Sequence, residues 1–261
     1  ARHTKQKLDM EEMEEAIARV VAGPERRTRL ISDKEKEIIA YHETGHALVA
    51  HELPNADPVH KISIIPRGQA LGYTLTLPTE DKYLVTKSEL VDELAMLLGG
   101  RVAEEMVFGE LTTGDQNDIE KATKLARKMV CEFGMSEKLG PLTLGQKQGE
   151  VFLGRDLYTH QDYSDQIAYE IDREVRRLVD EAYSRAEIIL NQHRERLDTI
   201  ARTLIERETL EKEELLALLE GREILPVPAP APGRAAEEAP ALGEEVRPPS
   251  PIKGRPLPQP E

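Results

Sequence analysis

The sequence holds a single cysteine, Cys131, in 261 residues. One thiol excludes a disulfide within the chain and any zinc ribbon built on cysteine, and it fits a reducing compartment. No window approaches eighteen consecutive apolar residues, so no segment reads as membrane-spanning. The opening Ala1-Arg2-His3-Thr4-Lys5 leads into charged sequence without the apolar core of a signal peptide. Basic charge is scarce, since 35 Lys+Arg against 49 Asp+Glu leave a formal net charge of −14. That balance argues against nucleic acid as a partner, because release of phosphate counterions needs clustered Lys and Arg. Any Gly-x-x-x-x-Gly-Lys-[Ser/Thr] run is missing too, so ATP has no P-loop here. What remains is 39% hydrophobic and 32% charged, the composition of a soluble, helix-rich chain long enough for one large domain or two small ones.

Periodicity supplies the organisation. Met10, Met13, Ile17, Val20 and Val21 follow helical spacing up to Gly23-Pro24, which stops the helix. Ser32-x-x-Glu35 reads as a capping box for a second helix that ends before Pro54. Alternation over 59–65 and again over 71–77, separated by Pro66-Arg67-Gly68, predicts two short strands in a hairpin. Thr86-x-x-Glu89 caps a helix reaching Phe108, with Gly109 as its stop. Asp115 reads as the N-cap of a helix over 116–133. After an irregular stretch over 134–160, helical patterns fill 162–193 and 195–220. Ile167, Ile171, Val175, Leu178 and Ala182 form one apolar stripe of the first of these. Residues 222–261 carry eleven of the seventeen prolines. Such a tail cannot bury enough apolar surface to fold and reads as disordered.

The chemistry sits at His42-Glu43-Thr44-Gly45-His46. Two histidines four apart on a helix project to one side, and neutral imidazole nitrogens bind Zn²⁺ at about 2.0–2.1 Å. Glu43, beside the first histidine, can act as general base on the attacking water. With seven His and thirty-six Glu in the chain, an H-E-x-x-H match by chance is expected only about 0.03 times. A catalytic zinc also wants a third protein ligand, and the H-x-x-G-x-x-H extension that would supply a nearby histidine is absent. Glu104 or Glu105, Asp115 and Asp118 compete for that role. Spacing alone leaves them open: Asp118 would equally suit a helix dipole, and Glu104 could bond a ligand histidine from behind.

The run Ile38-Ile39-Ala40-Tyr41-His42-Glu43-Thr44-Gly45-His46-Ala47 resembles the zinc helix of the FtsH family of membrane-anchored AAA+ metalloproteases. Leu98-Gly99-Gly100-Arg101-Val102-Ala103-Glu104-Glu105, Thr113-Gly114-Asp115-Gln116-Asn117-Asp118-Ile119, Gly134 to Pro141 and Val151-Phe152-Leu153-Gly154-Arg155 are similar in the same order, so the likeness covers roughly residues 8–220. It implies a mainly α metallopeptidase domain with a small β hairpin or sheet. Residues 1–23 would be the last helix of an ATPase lid, 24–221 the protease domain and 222–261 a proline-rich tail. One Zn²⁺ per chain would be held by His42, His46 and Asp118, with Glu43 catalytic and Glu104 bonded to a ligand histidine. Thr44 departs from the usual alanine, at a position pointing away from the metal. The resemblance further implies a homo-hexamer at the cytoplasmic face of the bacterial inner membrane, or an organelle equivalent, degrading unfolded, unassembled or membrane proteins. The ATP would be bound by an ATPase domain of the same full-length protein and not by this chain, which is itself expected to be soluble.

Gly68-Gln69-Ala70-Leu71-Gly72-Tyr73 is the candidate edge strand for an extended substrate, with plain sheet structure as its alternative. Two other readings stand beside the peptidase. In one, zinc stabilises an inactive ring-forming scaffold, against which Glu43 speaks, because a structural site needs no base. In the other, Glu104 is the ligand and Asp118 only serves its helix.

Overall fold

The computed structural model of the chain describes residues 13, 16, 17, 19, 20, 23–25, 31–68, 70–78, 81–145, 163–222 and 224. Their axis is helix α1, Asp33–Glu52. The capping box opens it: the Ser32 hydroxyl accepts the Glu35 N–H at 3.3 Å, and Glu35 Oε2 accepts the Ser32 N–H at 2.9 Å. From Ile39 to Ala50 every residue is buried, so α1 is covered on all sides rather than along one stripe. The cover comes from α2 (Lys87–Phe108), α4 (Asp165–Gln192) and α5 (Arg194–Arg207), while α3 (Gln116–Cys131) packs on α2 and α4. Thr86 and Glu89 form the second capping box, and Gly109 closes α2 in the left-handed conformation at φ 66°. The stripe read on α4 is continuous: Ile171, Val175, Leu178 and Ala182 are buried, and Ala186 and Leu190 extend it.

A three-stranded antiparallel sheet lies against this bundle in the order β2-β1-β3, formed by β1 (Val59–Ser63), β2 (Tyr73–Thr76) and β3 (Thr209–Glu211). Ile62 of central β1 stands opposite Thr74 on one side and Leu210 on the other. Strand β2 is therefore an edge strand. The described part of the chain is thus mainly helical with a small sheet, as the sequence implies.

Two boundaries differ from the sequence pattern. The second strand starts at Tyr73 and not at residue 71. Gly68, Ala70, Leu71 and Gly72 lie in the connection, where Arg67 and Ala70 exchange backbone hydrogen bonds around Gly68 at φ 54°. Gln69 lies outside the described residues. The helix expected over 195–220 is interrupted: α5 ends at Glu208 in the left-handed region, at φ 62°, and β3 leads into α6 (Lys212–Leu219). Buried leucines at 204, 210, 215 and 219 occur on both sides of the break without a glycine or proline to mark it. The strand exists because β1 offers a partner about 150 residues away. Of the first predicted helix, Met13, Ala16, Ile17, Arg19 and Val20 are helical, and its other residues lie outside the description. So do Val151 to Arg155 and, apart from residues 222 and 224, the proline-rich tail. Among the described residues no helix is long and apolar enough to cross a membrane.

Candidate metal centre

His42 and His46 project from the buried middle of α1 onto α2. Their approach depends on glycine. A Cβ on Gly100 would stand 2.6 Å from both His42 Cε1 and His46 Nε2, and one on Gly45 would stand 2.5 Å from the Gly99 carbonyl oxygen. Two glycines in a helix interior cost roughly 1 kcal/mol each relative to alanine; here they let the two helices and the rings nest.

The outer nitrogen of each ring is engaged. His42 Nδ1 lies 2.7 Å from Glu104 Oε1, and His46 Nδ1 lies 2.7 Å from the Met96 carbonyl oxygen. A carboxylate and a carbonyl only accept, so both Nδ1 atoms donate. Both Nε2 atoms then turn inward, 3.0 Å apart. Asp118, in the first turn of α3, brings Oδ2 to 3.4 Å from each Nε2, while its Oδ1 faces Lys121 Nζ at 3.4 Å.

Among the described residues this is the group of three donors able to hold a metal ion. Four ligands placed tetrahedrally at about 2.0–2.1 Å from Zn²⁺ stand about 3.3 Å from one another, close to the 3.0, 3.4 and 3.4 Å found here. The donor set, two nitrogens and one oxygen, is also that of catalytic zinc. The residues present fit the ion.

The electrostatics agree. Burial works against a charge on His42, but hydrogen bonds to Asp118 and Glu104 outweigh it and raise its pKa to about 10. Burial would raise Asp118, yet the two imidazoles hold its carboxyl well below the usual range. The nest thus favours positive charge at its centre.

The remaining acidic candidates turn elsewhere. Glu104 stands behind His42, and its Oε2 accepts the Thr112 N–H at 3.2 Å. Glu105 accepts the Tyr183 hydroxyl, and Asp115 takes Arg101. Asp115 occupies the N-cap position of α3, as read from sequence, but makes no side-chain capping bond.

Glu43 is buried beside the two histidines. Burial pushes its carboxyl up against the opposing pull of His42 and His46. Thr74 of β2 donates from its hydroxyl toward Glu43 Oε2 at 2.7 Å and the Glu43 carbonyl at 3.1 Å. Gly72 leaves room for Oε1, which a Cβ there would approach to 2.8 Å. Thr74 was not among the candidate residues, and no local signal marks it. The Gly99-Gly100 pair did carry one, since paired glycines inside a helix announce a close approach. Of the candidate substrate strand, the structure brings Gly72 next to this glutamate and places Tyr73 at the start of β2, while Gly68, Ala70 and Leu71 fall in the preceding turn.

Residues 29–218 match the profile of peptidase family M41. The chain belongs to that family. Among M41 relatives, the ATP-dependent zinc metalloprotease FtsH of Rubrobacter xylanophilus is 60% identical over 220 residues, covering 84% of this chain and 34% of the relative. The proteins of the same name from Thermotoga maritima and Bacillus subtilis are 56% and 55% identical over 220 and 221 residues, each covering 84% of this chain and 36% and 35% of the relative. The chain therefore spans about a third of the length of these curated relatives.

Proposed function

We propose that the chain is the peptidase part of an ATP-dependent, membrane-anchored protease for unfolded or unassembled proteins, with Zn²⁺ held by His42, His46 and Asp118. The observation that carries this reading is the convergence of two Nε2 atoms and one carboxylate oxygen whose neighbouring nitrogens are already engaged by Glu104 and Met96. A bound Zn²⁺ supplies a Lewis acid that polarises the scissile carbonyl and makes water a competent nucleophile near neutral pH.

Glu43 takes the proton of the attacking water and returns it to the leaving amine. Thr74 holds Oε2, so Oε1 is the oxygen free to accept. Strand β2, at the sheet edge, pairs with an extended substrate backbone and gives affinity with little sequence preference; Tyr73 opens it, and Gly72 precedes it after the turn holding Gly68, Ala70 and Leu71. The ATPase part belongs to the rest of a longer protein, as the relatives' names and lengths support, and the membrane anchor is placed there with it. A homo-hexameric ring at the cytoplasmic face of a bacterial inner membrane, or its organelle equivalent, is the assembly this implies.

The test is degradation of casein by the zinc-loaded chain, with its oligomeric state fixed by sedimentation and Glu43→Gln as the control. Cleavage by the wild type, with a loss of at least about 100-fold in the variant at full zinc occupancy, is the expected result. No cleavage by a zinc-loaded ring would refute the chain as a self-sufficient peptidase.

A further inference from the structure

Asp118 reaches the imidazoles from a helix that begins 70 residues after His46, so something must hold that helix in place. The elements next to it show what does. Asp115 sits at the N-cap, where an aspartate ordinarily accepts from the N–H groups of its own helix. Here its side chain makes no such bond. It is buried, at 4% side-chain exposure, and ion-paired with Arg101 Nη1 of α2. The Asp115 carbonyl accepts the N–H groups of Asp118 and Ile119 at 3.1 and 3.0 Å, so the orientation of Asp115 passes directly into the turn that carries the ligand. Arg101 follows Gly100, the residue on which both imidazoles lie, and precedes Glu104 by one helical turn. Glu104 in turn holds the connecting segment through the Thr112 N–H. One stretch of α2 therefore positions the rings, the connection and the third carboxylate together.

We propose that Arg101 and Asp115 form a positioning pair that holds Asp118 at the histidines before metal arrives. The proposal rests on the reading of His42, His46 and Asp118 as the metal ligands. Its physical content is pre-organisation: with the pair intact, little of the ordering of α3 remains to be done by metal binding. The Arg101 cation also offsets the repulsion between two carboxylates one turn apart. Groups that orient metal ligands from behind typically change affinity by about 10–100-fold when removed.

The informative variant is Asp115→Ser in the full chain. Serine caps a helix as well as aspartate but cannot pair with arginine, so helix capping and positioning separate. Arg101→Met removes the other partner while keeping an unbranched side chain. The readouts are Zn²⁺ dissociation constants by competition with a chromophoric chelator, the melting temperature of the metal-free protein, and the visible spectrum of the Co²⁺ form.

For Asp115→Ser the expected result is a metal-free melting temperature near wild type, zinc affinity lowered about 10–100-fold, and a wild-type tetrahedral Co²⁺ spectrum at saturation. Arg101→Met should lower affinity by a similar factor, and the double variant by no more than either single one, because the two residues act as a unit. Wild-type zinc affinity in folded Asp115→Ser and Arg101→Met would overturn the pair's role. A lowered melting temperature with unchanged affinity would overturn it as well and leave a purely structural bridge. If wild type and Asp118→Asn bound zinc equally, the ligand assignment itself would fail, and that outcome is distinct from the other two.

Discussion

Glycine 100 shows how little room the centre has. An alanine there would put its Cβ 2.6 Å from atoms of both imidazoles, and neither ring can retreat, because Glu104 and the Met96 carbonyl hold their outer nitrogens. Gly100→Ala should therefore cost about 1–3 kcal/mol of stability and weaken zinc binding by more than tenfold; thermal unfolding and chelator competition measure the two. Unchanged zinc affinity would mean that the helices shift without disturbing the rings.

Thr44 is the opposite case. It is fully buried between the two histidines, and among the described residues its hydroxyl has no hydrogen-bond partner. A buried hydroxyl without a partner is a penalty that an apolar group of the same shape avoids. Thr44→Val should raise stability by about 1 kcal/mol in denaturant titrations and leave zinc affinity alone. This extends the sequence-level expectation that the departure from alanine matters little to the chemistry.

The helices were legible because their signals are local. Both capping boxes, Ser32 with Glu35 and Thr86 with Glu89, are formed as the four-residue spacing requires. The second gives a pH dependence with a definite sign. The Thr86 N–H, then Lys82 and the Thr86 hydroxyl, hold the Glu89 carboxylate and pull its pKa to about 2, against about 4.3 for a free glutamate. A depressed carboxylate stabilises the fold above its unfolded pKa, and the contribution is lost as pH falls through the folded value. The melting-temperature advantage of wild type over Glu89→Gln should hold from pH 7 to 5 and shrink steadily between pH 4 and 2. A gap independent of pH would show that the ionised carboxylate is not what caps α2. Strand β3 was not legible, because its three residues read as part of a helical pattern and its partner lies on β1. The same holds for the start of β2, since alternation over 71–77 continues through a turn whose backbone is set by Gly68 and the Arg67–Ala70 bonds.

At the scale of the whole molecule, the centre joins α1, α2 and α3, so metal binding should stabilise the fold as a unit. Zinc at a hundredfold excess over its dissociation constant adds about 2.7 kcal/mol if only the folded state binds. For a unit of this size that corresponds to a rise in Tm of roughly 5–10 °C. Calorimetry with and without zinc should show this shift in wild type, and Asp118→Asn should lose most of it. An equal shift in both would take Asp118 out of the site.

The sequence by itself determined that His42 and His46 share one side of α1 with Glu43 next to the first, because a four-residue spacing on a helix is a local fact. It also determined the helices that carry them, through capping and 3.6-residue periodicity. Only the tertiary structure decided how the acidic residues divide their work. Asp118 faces the imidazoles, Glu104 backs His42, Glu105 meets Tyr183 and Asp115 meets Arg101. It likewise decided that Thr74 steadies Glu43 and that β3 completes the sheet. These pairings join residues from 14 to 150 positions apart. Their geometry is set by which helix faces pack and by where glycine lets backbones touch, and no single stretch of sequence holds that information.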